Sequence, residues 1–129
     1  MSPEDRKYTR EHEWAKVEDA DAKLVSVGIT HFAQDELGDI VYFDLPNAGD
    51  SVAYMQKMGE VESVKAVSDL FSPVTGRIDA VNSELVDHPE LVNDDPFEAG
   101  WIMRVVLEDL GELDTLMSAN EYDEYTGAS

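Results

Sequence analysis

The run Gly59-Glu60-Val61-Glu62-Ser63-Val64-Lys65-Ala66-Val67-Ser68-Asp69-Leu70 decides how the rest of the chain is read. Valines recur at 61, 64 and 67, with Glu60, Glu62 and Asp69 beside them. β-Branched residues favour extended backbone. Gly59 on one side and residues 73–76 (Pro-Val-Thr-Gly) on the other are turn signals that bracket the run. Two strands meeting at a tight turn, with Lys65 near the tip, account for this pattern. The lysine stands out because the chain has only five, at 7, 16, 23, 57 and 65, and none follows Lys65.

Working outward, the flanking segments are short and mostly extended. Trp14 and Val17 mark a first strand, Asp19-Ala20-Asp21 a turn, and residues 23–29 a second strand that closes a hairpin. Thr30 is a good N-cap, Phe32, Ala33, Glu36 and Leu37 have helical spacing, and Gly38 is a natural C-cap, predicting a short helix over 30–38. Residues 39–45 form the strongest strand pattern, ended by the turn 46–50; 51–53 is a short strand. Beyond the lysine hairpin, 77–81 is a strand. Residues 82–87 are a helical turn capped by Asn82, and 88–100 are loops and short extended pieces broken by Pro89, Pro96 and Gly100. The last strand is 101–107. Leu110, Leu113, Leu116 and Met117 predict an amphipathic helix over 109–117, and Ser118 caps a second helix carrying Tyr122 and Tyr125. Gly38-Asp39-Ile40 and Gly76-Arg77-Ile78 open similar strands, a faint internal echo. Trp14, Phe43 and Trp101 are read as core. The expected fold is mainly β, a small antiparallel sandwich or barrel with peripheral helices.

Composition bounds the function. At 129 residues the chain is read as one domain spanning 1–129, with flexible tails at 1–7 and 126–129. No apolar run reaches the ~18–20 residues a membrane span needs, and the acidic start carries no targeting signal, so a cytoplasmic location is expected. Without cysteine there is no disulfide and no thiolate metal site. A net charge of −20 argues against nucleic acid and anionic membranes as partners. The acidity either keeps the protein soluble and steers basic partners, or reflects a salt-rich cytoplasm that screens self-repulsion. His12, His31 and His88 lack metal-site spacing, and no Ser-His-Asp or phosphate-binding glycine pattern is present.

The segment Glu62-Ser63-Val64-Lys65-Ala66-Val67-Ser68-Asp69 closely resembles the lipoylation segment of the glycine cleavage system H protein family. Other segments carry the resemblance in the same order, from Tyr8 to Tyr125. They include His12-Glu13-Trp14, Val27-Gly28-Ile29-Thr30, Leu37-Gly38-Asp39-Ile40-Val41, Leu45-Pro46, Ser72-Pro73-Val74-Thr75-Gly76, Leu91-Val92-Asn93, Asp95-Pro96-Phe97 and Gly100-Trp101. The resemblance implies a lipoyl-type barrel-sandwich hybrid of two antiparallel sheets, with lipoate amide-linked to Lys65. It implies a non-catalytic, monomeric carrier that takes an aminomethyl group from the pyridoxal-phosphate glycine decarboxylase to the aminomethyltransferase, which passes the one-carbon unit to tetrahydrofolate. The dithiol then goes to dihydrolipoamide dehydrogenase. A lipoate-attaching enzyme is a further partner.

The resemblance also implies that the loaded arm folds into a cleft on the carrier, where carboxylates hold its ammonium. Glu13 and Asp69 match the positions assigned to that contact; read blandly, they are two of 29 acids. Residues 30–38 are expected to form part of the cleft wall. Some family members carry a histidine where this chain has Glu36. A free-standing hydrolase lacks any nucleophile constellation here. A biotin carrier typically flanks its lysine with methionines, and here only Lys57-Met58 offers half of that pattern. A lipoyl domain of a 2-oxo acid dehydrogenase shows Asp-Lys-Ala at the tip. An H-like relay or protein-binding module outside glycine catabolism is the alternative of a different class.

Overall fold

The computed structural model of the chain describes residues 2–127. Nine strands form two antiparallel sheets. They are β1 (Lys7–Tyr8), β2 (Glu13–Asp19), β3 (Leu24–Ile29), β4 (Ile40–Asp44), β5 (Ser51–Val52), β6 (Lys57–Ser63), β7 (Val67–Phe71), β8 (Gly76–Val81) and β9 (Met103–Leu107). The larger sheet runs β1-β2-β3-β9-β8-β5, and the smaller runs β4-β6-β7. Helices are short and peripheral: α1 (His31–Leu37), α2 (Glu84–Asp87), α3 (Leu91–Asp94) and α4 (Ala119–Thr126). The expected two-sheet, mainly β architecture with a C-terminal helix is the observed one.

Alternation places the core. Val25, Val27 and Ile29 of β3, Ile78 of β8 and Met103, Val105 and Leu107 of β9 face Phe43 of β4, Val61 of β6 and Leu70 of β7, all buried in one hydrophobic cluster. Period-two side chains on two facing sheets generate such a layer without helices. On the other face of the large sheet, Gly28 leaves room for the Trp14 indole, whose Nε1 donates to the carbonyls of Ile29 (3.0 Å) and Pro96 (3.1 Å). Trp14 joins a second cluster with Tyr8, Ala119 and Tyr122, where α4 docks.

The sequence reading needs correction at several places. Residues 1–7 were expected to be a flexible tail, yet Lys7 pairs with Ala15 in a strand. Arg6 is buried, its guanidinium 4.7 Å from the Trp14 ring and donating to the Phe97 carbonyl. Long-range partners, invisible to local pattern, hold this segment; Met1 lies outside the described residues. At the other end Thr126 closes α4 and Gly127 caps it, so the expected tail at 126–129 is folded that far; residues 128 and 129 lie outside the description. Residues 91–94 are helical rather than loop, and 110–115 form a 3-10 helix rather than an α-helix, started by the Asp109 side chain. The cap position of α2 is Ser83, although the Asn82 carboxamide still accepts from the Glu84 N–H (3.3 Å). Trp14 and Phe43 are core, but Trp101 is half-buried and lies under Arg104, 4.1 Å from its guanidinium. The glycines of the internal echo differ in role: Gly38 ends a helix and Gly76 sits in a paired strand.

Candidate functional site

The lysine hairpin is β6 against β7, with Glu62 opposite Val67 and residues 63–66 closing the tip. The Ser63 N–H donates to the Ala66 carbonyl (2.8 Å), and the Ser63 hydroxyl oxygen accepts from the N–H groups of Lys65 (3.1 Å) and Ala66 (3.2 Å). A serine that caps its own turn in this way holds the tip backbone rigid. Lys65 is exposed at its end, where a solvated ammonium carries no desolvation penalty.

The tip is also tied to the opposite wall. The Val64 N–H donates to the Asp39 carbonyl (3.0 Å), just after α1. Gly38, the C-cap of α1, has φ +77°, a conformation suited to glycine. A Cβ there would stand 3.3 Å from Cε of Lys65, so the lysine stem lies across the bare glycine. Asn93 fixes this junction: its amide donates to the Gly38 carbonyl and the Gln34 side chain (both 2.9 Å), and its oxygen accepts from the Ile40 N–H. Sequence reading singled out neither Ser63 nor Asn93 as a positioning residue. For Ser63 the legible signal was a hydroxyl two residues before the tip lysine; for Asn93 there was none beyond its place in a family-like segment.

A cleft of about 330 Å³ opens between α1, the turn at residues 9–12 and β7. Its apolar lining is Ile29, Phe32, Ala33, Leu37, Val61 and Leu70. Its polar lining is Glu11, His12, Glu13, Glu36, Ser68 and Asp69. Residues 30–38 therefore do form a wall, and Glu13 and Asp69 do meet in one cleft.

The two acids sit in unlike surroundings. Glu13 is only 1% exposed. Burial pushes its carboxyl up to about 8, against the pull of hydrogen bonds from Thr9 and the Phe71 backbone. The Thr9 hydroxyl donates to Oε1 at 2.8 Å. Asp69 is exposed and faces Lys57, whose Nζ lies 3.2 Å from Oδ1 and 2.9 Å from Oε2 of Glu60. His12 also lines the cleft, at φ +71°, a left-handed position uncommon outside glycine. Its Nδ1 shares a hydrogen bond with the Tyr122 hydroxyl (2.8 Å), which shares another with Thr30 Oγ1 (2.8 Å). Its ring packs 4.7 Å from that of Phe32. Burial lowers the imidazole pKa, and Glu11 and Glu36 oppose that shift. His31, by contrast, is exposed at the start of α1, near the Gln34 amide.

Aliphatic and aromatic side chains line the cleft walls together with the carboxyl groups of Glu11, Glu13, Glu36 and Asp69. Among the described residues no helix is long and apolar enough to cross a membrane.

Comparison with known proteins agrees with this geometry. The profile of the family described as Glycine cleavage H-protein matches residues 6–128. A glycine cleavage system H protein of Coprothermobacter proteolyticus is 52% identical over 121 residues, covering 94% of each chain. A probable glycine cleavage system H protein of Natronomonas pharaonis is 51% identical over 121 residues, covering 94% of this chain and 93% of the relative. The crystal structure of a glycine cleavage system H protein from Mycobacterium marinum superposes with a TM-score of 0.88 at 41% identity, covering 98% of this chain and 99% of that one.

Proposed function

The chain belongs to the glycine cleavage H-protein family, and from that premise we propose that its carrier function is exercised through lipoate amide-linked to Lys65. When bound, the lipoyl group supplies a disulfide–dithiol pair that takes up and gives back the aminomethyl cargo and its electrons. The observation that carries this reading is the position of Lys65: exposed, on a serine-braced tip, with its stem laid over Gly38, next in the chain to the cleft residue Leu37. A rigid root under a flexible arm keeps the reactive end at high effective concentration near a docked enzyme.

Each part of the site has a task in this reading. Ser63 and Asn93 hold the root, so the arm swings from a fixed point. Phe32, Leu37 and Leu70 shield the arm from water when it lies in the cleft. Glu13, held protonated near neutral pH, offers a hydrogen bond at the buried end, while Asp69 stands at the exposed rim. The carrier works without catalysing the chemistry itself, as a cytoplasmic monomer. Its partners are the glycine decarboxylase, the aminomethyltransferase, dihydrolipoamide dehydrogenase and the lipoate-attaching enzyme. Intact mass and peptide mapping after incubation with lipoate, ATP and a lipoate ligase test the proposal. One lipoyl increment on the peptide holding Lys65 is expected. No increment on folded protein, or an increment at Lys57, would overturn it.

A further inference from the structure

Helix α1, one wall of the cleft, is held at both ends. At its C-terminal end Asn93 bonds the Gly38 carbonyl, where the Lys65 stem lies across the glycine. At its N-terminal end the hold comes from α4, at the far end of the chain. Tyr122 of α4 is buried, its ring stacked on Tyr8 with centroids 4.8 Å apart. Its hydroxyl lies 2.8 Å from Nδ1 of His12 and 2.8 Å from Oγ1 of Thr30. His12 lines the cleft from the turn at residues 9–12. Thr30 is the N-cap of α1, its side chain accepting from the Ala33 N–H. One buried phenol therefore joins both walls. Packing alone does not call for its hydroxyl, since phenylalanine would serve the stack on Tyr8 and the cluster with Trp14 and Ala119. A hydroxyl buried without partners is costly, and here each partner belongs to a different wall. His12 needs such a hold: at φ +71° its backbone is in a region few side chains adopt. Its ring lies 4.7 Å from that of Phe32, so displacement of His12 disturbs the aromatic lining as well.

Building on the carrier reading above, we propose that Tyr122 is a positioning residue for the arm rooted on Lys65. Its hydroxyl fixes the turn at residues 9–12 against the N-terminus of α1, and so sets how closely the cleft walls fit the arm. Tyr122 does not line the cleft itself; it acts through His12 and Thr30.

The test compares wild type with Tyr122→Phe, which removes the hydroxyl and keeps the ring. Both full-length chains are lipoylated, scored by mass, and loaded with aminomethyl cargo by the glycine decarboxylase, which is then removed. Water cleaves the aminomethyl group from sulfur, leaving the dithiol and releasing formaldehyde and ammonia; formaldehyde is followed. Release is expected to be about fivefold faster from the variant, the factor that one lost buried hydrogen bond allows. Thr30→Val breaks the other half of the brace, with loss of the α1 cap, and should accelerate release likewise. Ala119→Gly, at a buried position of α4, loosens that helix and leaves the hydroxyl in place, so its release should match wild type. Unchanged release from Tyr122→Phe, or equal acceleration by Ala119→Gly, would overturn the proposal. A second readout needs no lipoate. In the unlipoylated chain, Tyr122→Phe should shift the His12 Nδ1 resonance and speed amide exchange at Phe32 and Ala33; unchanged exchange there would also overturn it. Absence of the lipoyl increment counts against the carrier reading alone, so the two failures are distinguishable.

Discussion

The turns at residues 9–12 and 63–66 use the same local device and end in opposite environments. In one, the Thr9 hydroxyl accepts from the N–H groups of Glu11 and Glu13, both at 3.2 Å. In the other, the Ser63 hydroxyl accepts from those of Lys65 and Ala66. Each turn then presents an ionisable group to the same working region. Lys65 emerges into water. Glu13 points between the sheets, where burial raises its carboxyl pKa to about 8. A turn motif therefore sets where a side chain starts, and the surrounding packing sets whether it keeps its charge. A carrier needs both outcomes: a solvated amine that an enzyme can reach, and a dry floor against which an arm can rest.

Substitutions at the two turns should separate these roles. The largest effect is expected for Lys65→Arg, which keeps the charge and the fold but cannot form the lipoyl amide. Mass spectrometry should find no increment and glycine cleavage with the partner enzymes should cease, while the melting temperature stays at the wild-type value. Cleavage supported by this variant would break the contrast at its solvated end.

At the buried end, Glu13→Gln should change how stability depends on pH. The folded chain holds the Glu13 proton to about pH 8, whereas an unfolded chain releases it near the ordinary 4.5. Its contribution is full below pH 4.5 and is lost as pH rises towards 8, at up to ~1.4 kcal/mol per pH unit. Denaturant titrations at pH 5, 6, 7 and 8 should show wild type losing a few kcal/mol relative to Glu13→Gln, on the order of the same slope. Parallel curves for the two proteins would mean that Glu13 is ionised in the fold.

Two hydroxyl deletions sharpen the comparison further. Thr9→Val removes both the turn acceptor and the donor to Glu13 Oε1, leaving a buried carboxyl short of a partner; a loss of about 2 kcal/mol is expected in urea unfolding. Ser63 is itself buried, but its turn partners Lys65 and Ala66 are exposed and water can replace the lost bonds, so Ser63→Ala should lower stability by only ~0.5–1 kcal/mol. Its clearer signature should be faster amide hydrogen exchange at Lys65 and Ala66. Equal stability losses for the two variants would show that the burial of Glu13, against the exposure of Lys65 and Ala66, makes no difference to the turns.

How much was legible in the sequence depends on the range of the interaction that decides each feature. The hairpin, the 30–38 helix with Thr30 and Gly38 as caps, and the Ser118 cap are local, and each appears where residue type and spacing place it; Glu121 completes the capping box at Ser118. The N-terminal segment misled because Arg6 and Lys7 gain their order from Trp14, Phe97 and Ala15. Residues 109–117 have helical spacing, but the chain there makes the tighter 3-10 turns. Residues 91–94, between two prolines, are helical and place Asn93 over the Gly38 junction.

Alternation of apolar residues, turn chemistry and the isolated lysine were enough to expect a small antiparallel sandwich or barrel with Lys65 at a hairpin tip, because those features depend on neighbours in the chain. The sequence also placed Glu13 and Asp69 as candidates through resemblance. Only the tertiary structure decided that one of them is buried, its carboxyl pushed up to about 8, while the other is exposed and paired to Lys57. It also brought Glu11, His12 and Glu36 to the lining of one cleft. Charge state and mutual distance are properties of the environment, and in this protein that environment is assembled from the turn at residues 9–12, α1, β6 and β7, elements far apart in the chain.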